Sequence, residues 1–185
     1  LSHATTPFIL KLANLGWKRA CIKDPHLLKG LNVHDGHITN IEVSKAQDLD
    51  YVDHTKELEE CEALVCCTPT WNTGSEEKRS GTSWDEHIEN IPALNFSGKP
   101  VAVVGLGDSA AFSKYFCDAM EELYSAFSKS GAKMIGKVTT DGYTYDDSKS
   151  VVDGKFCGLP IDEDNESELT DQRLSAWVTQ IQSEA

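Results

Sequence analysis

The chain has 185 residues, 17 Lys and Arg against 30 Asp and Glu, a net charge of −13 and 39% hydrophobic content. That length and composition suffice for one hydrophobic core, so a single domain over residues 1–185 is expected. The charge repels nucleic acid and anionic lipid and favours a protein partner with a basic face. No apolar run is long enough to span a membrane, and the first residues lack the pattern of a signal peptide.

In chain order, Pro7-Phe-Ile-Leu-Lys-Leu12 is the first strand pattern, predicted as the central strand of a sheet. It is followed by Ala13-Asn-Leu-Gly-Trp-Lys18 and by a helical stretch interrupted at Pro25 and Gly30. His34-Asp-Gly-His37 reads as a surface turn, with no third metal ligand nearby in sequence. Ile41-Glu-Val43, Ala63 to Cys67, Val101 to Gly105 and Met134 to Val138 read as further short strands. Phe116, Met120, Leu123, Tyr124 and Phe127 share one helical face, with Gly131 as the stop. Leu174, Trp177, Val178 and Ile181 repeat that spacing behind Thr170 as the expected N-cap. Alternating strands and helices imply a parallel sheet with right-handed crossovers.

Six cysteines, at 21, 61, 66, 67, 117 and 157, show no Cys-x-x-Cys spacing and read as small buried thiols in a reducing compartment. Cys66 and Cys67, adjacent on a strand, are expected to point to opposite faces. The acidic run Asp162 to Glu168 lacks the glycine and terminal glutamate of a calcium loop, so a solvated acidic turn is expected.

Two strand patterns end in small, turn-forming residues: Thr68-Pro-Thr-Trp-Asn-Thr-Gly74 and Val101-Ala-Val-Val-Gly-Leu-Gly-Asp108. The carboxyl ends of parallel strands are where α/β proteins build ligand sites. Gly105-Leu-Gly107-Asp-Ser-Ala110 also matches a dinucleotide fingerprint. It lacks the acidic residue about 20 positions on at a strand tip, so that reading is set aside.

The motifs Pro69-Thr-Trp-Asn72, Gly81-Thr-Ser-Trp-Asp-Glu86, Gly105-Leu-Gly-Asp108, Phe116-Cys-Asp-Ala119, Asp141-Gly-Tyr143 and Asp153-Gly-Lys-Phe-Cys-Gly-Leu-Pro-Ile-Asp-Glu-Asp-Asn165 resemble the long-chain flavodoxins. The likeness runs from about Ile41 to the C-terminus. It implies a flavodoxin-like, doubly wound, five-stranded parallel sheet of order 2-1-3-4-5, with helices on both faces and a long insertion in the last strand, here Asp141 to Asn165.

The resemblance implies three loops around FMN. In the second, Thr70, Trp71, Asn72, Thr73 and Gly74 offer an indole to one flavin face and a glycine turn beside the ring; alternatively Trp71 packs to close the sheet end. In the third, Gly107 and Asp108 lead to Phe112 on the outer flavin face and to Tyr115 at the ring edge. The first loop in the family reads Thr-x-Thr-Gly-x-Thr and cradles the phosphate with hydroxyls and backbone amides. Its counterpart is taken as Ala13, Asn14, Leu15, Gly16, Trp17 and Lys18, where only the glycine survives.

From that degenerate loop, loss of tight FMN binding is expected, with no cofactor tightly held. The chain would then be a binding or structural subunit of a photosynthetic electron-transfer complex, with Trp17 to Leu31 as a partner-specific arm. The alternative is a functional FMN flavodoxin carrying single electrons between a low-potential donor such as photosystem I and a ferredoxin/flavodoxin reductase. By the same resemblance the expected place is the plastid stroma, at the stromal face of the thylakoid, peripheral to a membrane complex. No catalytic constellation is found, and an electron carrier at most is expected.

Overall fold

Along Pro100–Leu106, Val101 and Val103 are fully buried on one side while Ala102 and Val104 turn to the other. A strand apolar on both faces belongs in the middle of a layered sheet. In the computed structural model, residues 33–34, 37–38, 49–51 and 56–185 are described. The chain divides into two units, Leu1–Asp48 and Leu49–Ala185. Within the first, β1 (Val33–His34) and β2 (His37–Ile38) pair antiparallel with His34 opposite His37. The strands expected at Pro7–Leu12 and Ile41–Val43 lie outside the described residues.

In the second unit, β3 (Leu64–Pro69) runs parallel to β4 (Pro100–Leu106), in register from Leu64 opposite Val101 to Pro69 opposite Leu106. The other side of β4 is shared by two short parallel strands. β5 (Lys133–Met134) pairs with its beginning and β9 (Leu159–Ile161) with its end. Between them β6 (Val138–Thr139), β7 (Val151–Val152) and β8 (Lys155–Phe156) form a separate antiparallel sheet, with β8 in the middle. Two of its three strands, β7 and β8, fall within the stretch from Asp141 to Asn165.

Among the described residues, four helices accompany these strands: α1 (Lys56–Glu60), α2 (Trp84–His87), α3 (Ala119–Lys129) and α4 (Ser167–Glu184). Met120, Leu123 and Phe127 of α3 are buried with Val101, Val103, Phe96 and Phe156. Trp177 of α4 is buried with Ala102, Leu159 and Ile161, and Leu174 and Ile181 pack against them. The sheet is therefore covered on both faces, as expected. Removing these apolar surfaces from water is the main stabilising contribution, on the order of 25 cal/mol per Å².

Three boundaries differ from the sequence expectation. The strand expected from Met134 to Val138 breaks in two, because Trp177 Nε1 donates to the carbonyl of Gly136 (2.7 Å), drawing that segment out of the ladder. Helix α4 starts at Ser167 rather than after Thr170. The Glu166 amide donates to the Asp162 carbonyl (3.0 Å) and the Glu166 carboxylate holds Arg173 (2.7 Å), so the chain is committed to the helix earlier. Finally, the acidic turn is not solvated throughout, since Asp162 is buried.

Candidate functional site at the carboxyl ends of β3 and β4

Because Pro69 and Leu106 are in register, the loops leaving β3 and β4 emerge side by side. The β3 loop folds back on itself: Trp71 N–H donates to Ser80 O (3.3 Å) and Asn72 N–H to Arg79 O (3.1 Å). Asn72 Nδ2 donates to Lys78 O (2.7 Å), and Thr73 Oγ1 to Thr70 O (3.1 Å). Asp85 at the start of α2 gathers the returning strand, accepting from Ser80 Oγ (2.7 Å), Ser80 N–H (3.2 Å) and Gly81 N–H (2.8 Å). Trp84 is buried, and its Nε1 donates to Cys67 O (2.9 Å). Trp71 is 72% exposed, so the alternative of a packed ring closing the sheet end is not what the fold uses.

The β4 loop is held by carboxylates. Asp108 Oδ1 accepts from Ala110 N–H (3.0 Å), Ala111 N–H (2.8 Å) and Asn165 Nδ2 (2.9 Å). The Ala111 amide foremost, and then Asn165, hold its carboxyl below the ordinary range. Asp162, beyond β9, accepts from Ser109 N–H (3.0 Å), Ser109 Oγ (2.5 Å) and Asn165 N–H (3.0 Å). Burial pushes the Asp162 carboxyl up, but the Ser109 and Asn165 donors outweigh it and the net shift is downward. Phe112 is 50% exposed and Tyr115 41% exposed at the end of this loop. Gly107 is required by close approach, since a β-carbon there would sit 2.8 Å from Cys117 N and 2.9 Å from Cys117 Sγ. That contact explains one glycine of the apparent dinucleotide fingerprint by packing within the chain.

Of the sequence-predicted residues, Thr70 to Gly74 and Gly107, Asp108, Phe112 and Tyr115 are brought to one end of the sheet. Thr70 Oγ1 accepts from Ala119 N–H (3.3 Å) and so ties the β3 loop to the start of α3. The proposed first loop, Ala13 to Lys18, and the arm from Trp17 to Leu31 lie outside the described residues. Sequence reasoning missed Arg79, Asp85, Asp162 and Asn165 as residues that hold these loops. The Gly81-to-Glu86 motif and the Asp-Glu-Asp-Asn165 run were visible, but their partners lie up to 57 residues away. Among the described residues no helix is long and apolar enough to cross a membrane.

The flavodoxin family pattern matches residues 29–177, and that of the alanine dehydrogenase/PNT C-terminal domain matches residues 1–41. The flavodoxin of Nostoc sp. is 37% identical over 147 residues, 80% of each chain. That of Picosynechococcus sp. is 39% identical over 124 residues, 67% of this chain and 71% of its own. Among solved structures, Fusobacterium nucleatum flavodoxin bound to flavin mononucleotide is similar with a TM-score of 0.64 and 37% identity, covering 70% of this chain and 75% of that one.

These likenesses correct two expectations. The flavin-free structural subunit, with no tightly bound cofactor, does not stand: the relatives are flavodoxins, and the similar Fusobacterium protein binds FMN. The flavin-free expectation rested on missing threonines at Ala13, Leu15 and Lys18, which precede residue 29, where the flavodoxin match begins, and lie outside the described residues.

Proposed function

The chain belongs to the flavodoxin family of electron carriers, and we propose that it holds FMN at the ends of β3 and β4 and passes single electrons between protein partners. The observation that carries this reading is the pair of exposed rings, Trp71 and Phe112, on loops otherwise pinned by hydrogen bonds. Exposing two large aromatics on rigid loops leaves their apolar faces in water unless a planar ligand or a partner covers them.

The residues present fit the flavin ring. Trp71 and Phe112 offer stacking faces, Tyr115 adds a hydroxyl-bearing edge, and the backbone from Asn72 to Ser75 turns through Gly74 at φ +81°. When bound, FMN supplies one-electron chemistry at a ring that accepts and releases electrons in separate steps. The chain's part is to bind and orient that ring, to keep water from its faces, and to fix the peptide at Gly74 beside it. The loops are held in advance, so little ordering is required on binding.

As partners we propose a low-potential donor such as photosystem I and a ferredoxin/flavodoxin reductase, each meeting this acidic chain with a basic face. The test is a visible absorption spectrum of the purified protein, before and after incubation with FMN. A yellow protein with about one flavin per chain, reduced and reoxidised by such a reductase, is expected. A chain that stays colourless and takes up no FMN defeats the reading.

A further inference from the structure

Arg79 is a buried arginine outside the flavin-facing residues, with 5% of its side chain exposed. Its Nη2 meets Glu121 Oε2 at 2.5 Å, its Nη1 donates to the Asp118 carbonyl at 3.0 Å, and its Nε lies 3.4 Å from Glu122 Oε2, within ion-pair reach but out of hydrogen-bond alignment. Glu122 also accepts from the Lys78 amide (2.7 Å) and the Arg79 amide (2.8 Å). The β3 loop is therefore plugged into the first turn of α3 by a forked guanidinium and two main-chain bonds.

The consequence reaches Trp71. The carbonyls of Arg79 and Ser80, whose position the plug fixes, accept the amides of Asn72 and Trp71. Asp118, whose carbonyl receives the guanidinium, follows directly on the segment that carries Phe112 and Tyr115, and its amide donates to Tyr115 O (3.3 Å). One side chain thus joins both ring-bearing loops. A planar fork is suited to this, since it satisfies several acceptors in one fixed geometry, whereas a lysine offers a point charge.

We propose that Arg79 is a positioning residue for the flavin site, acting through the Trp71 and Asn72 backbone to hold the indole where it stacks on the ring. This inference rests on the FMN reading for its functional half, and on the loop geometry alone for its structural half.

The test has two arms. In the FMN-loaded protein, Arg79→Gln should weaken FMN binding about tenfold, the value of roughly one aromatic stacking contact, and should raise the fluorescence of bound flavin as quenching by the indole is relaxed. Both effects should largely vanish in a Trp71→Ala background, as a double-mutant cycle requires of residues that act through one another. In the flavin-free protein, amide exchange at Trp71 and Asn72 should quicken while β4 stays protected. Arg79→Lys, which keeps the charge and loses the fork, should show the same pattern more weakly and serves if the glutamine variant does not fold. Equal losses with and without Trp71, or unchanged exchange at residues 71 and 72, would overturn the proposal. A wild-type chain that takes up no FMN removes the proposed function, while the exchange arm still decides whether Arg79 holds the loop.

Discussion

The ring of Tyr115 lies across the backbone at Gly74: a β-carbon placed on Gly74 would come 3.3 Å from Tyr115 Cζ and 3.6 Å from two further ring atoms. Two loops that leave different strands thus touch at a residue with a left-handed φ of +81° and no side chain. Gly74→Ala should therefore destabilise the protein by about 1–2 kcal/mol from the backbone conformation alone, and more if the tyrosine cannot yield. Denaturant unfolding of the variant beside Gly74→Ala/Tyr115→Ala separates the two terms. A double variant no more stable than the single one would show that the ring contact contributes nothing.

Asp162 makes stability depend on acid. Its carboxyl lies below the ordinary 3.8, burial being outweighed by the donors of Ser109 and Asn165. A carboxylate whose folded value is depressed contributes stability that is present above the unfolded value and lost as the pH falls through the folded one. The wild type should therefore lose stability as the pH falls below about 4, and Asp162→Asn should be less stable at neutral pH but flatter in that acid range. Asp118 works in the opposite sense, since burial foremost raises its carboxyl above 3.8. Urea midpoints measured from pH 7 down to pH 2.5 check this; parallel curves for wild type and Asp162→Asn would refute the assignment.

Much of this architecture was legible in local pattern. Short apolar runs ending in turn residues placed β3 and β4 to within a residue or two, and the 3.6-residue spacing placed the buried face of α3, because burial against a core is what writes those patterns. Val178, by contrast, keeps the helical spacing of α4 yet is 42% exposed, while Trp177, Leu174 and Ile181 of that helix meet the core. What local pattern does not carry is pairing at a distance. Arg79 looks like a solvated loop cation until Glu121 and Glu122 close on it, and Asp162 looks like part of a surface charge run until Ser109 reaches it.

Adjacent thiols should report the sheet directly. Cys66 is buried and Cys67 exposed, as alternation along β3 requires, and Cys117 and Cys157 are buried. Partial burial raises the Cys67 thiol above 9.0, so little thiolate exists at neutral pH and labelling should quicken as the pH rises. Site-resolved mass spectrometry after brief treatment with a disulfide reagent should find Cys67 modified well before Cys66, Cys117 and Cys157. Simultaneous modification of Cys66 and Cys67 would mean that β3 opens under native conditions.

The exposed rings and the net charge of −13 should divide the work of partner binding between them. Charge acts over a Debye length, about 10 Å at 0.1 M salt, and governs how often a basic partner arrives. Desolvated aromatic anchors act only on contact and govern how long it stays. Electron transfer to a basic reductase, followed by stopped flow, should therefore slow steadily as ionic strength rises. Glu76, whose side chain is 92% exposed within the β3 loop, is a direct probe of the charge contribution. Glu76→Lys should reduce the association rate and flatten its salt dependence, while Phe112→Ala should speed dissociation and leave the salt slope unchanged. Neither variant should shift the denaturant midpoint by more than about 0.5 kcal/mol, because both side chains are at least half exposed. A reaction rate that does not change with salt, or a salt slope that moves with Phe112 rather than with Glu76, would place the docking surface elsewhere on the molecule.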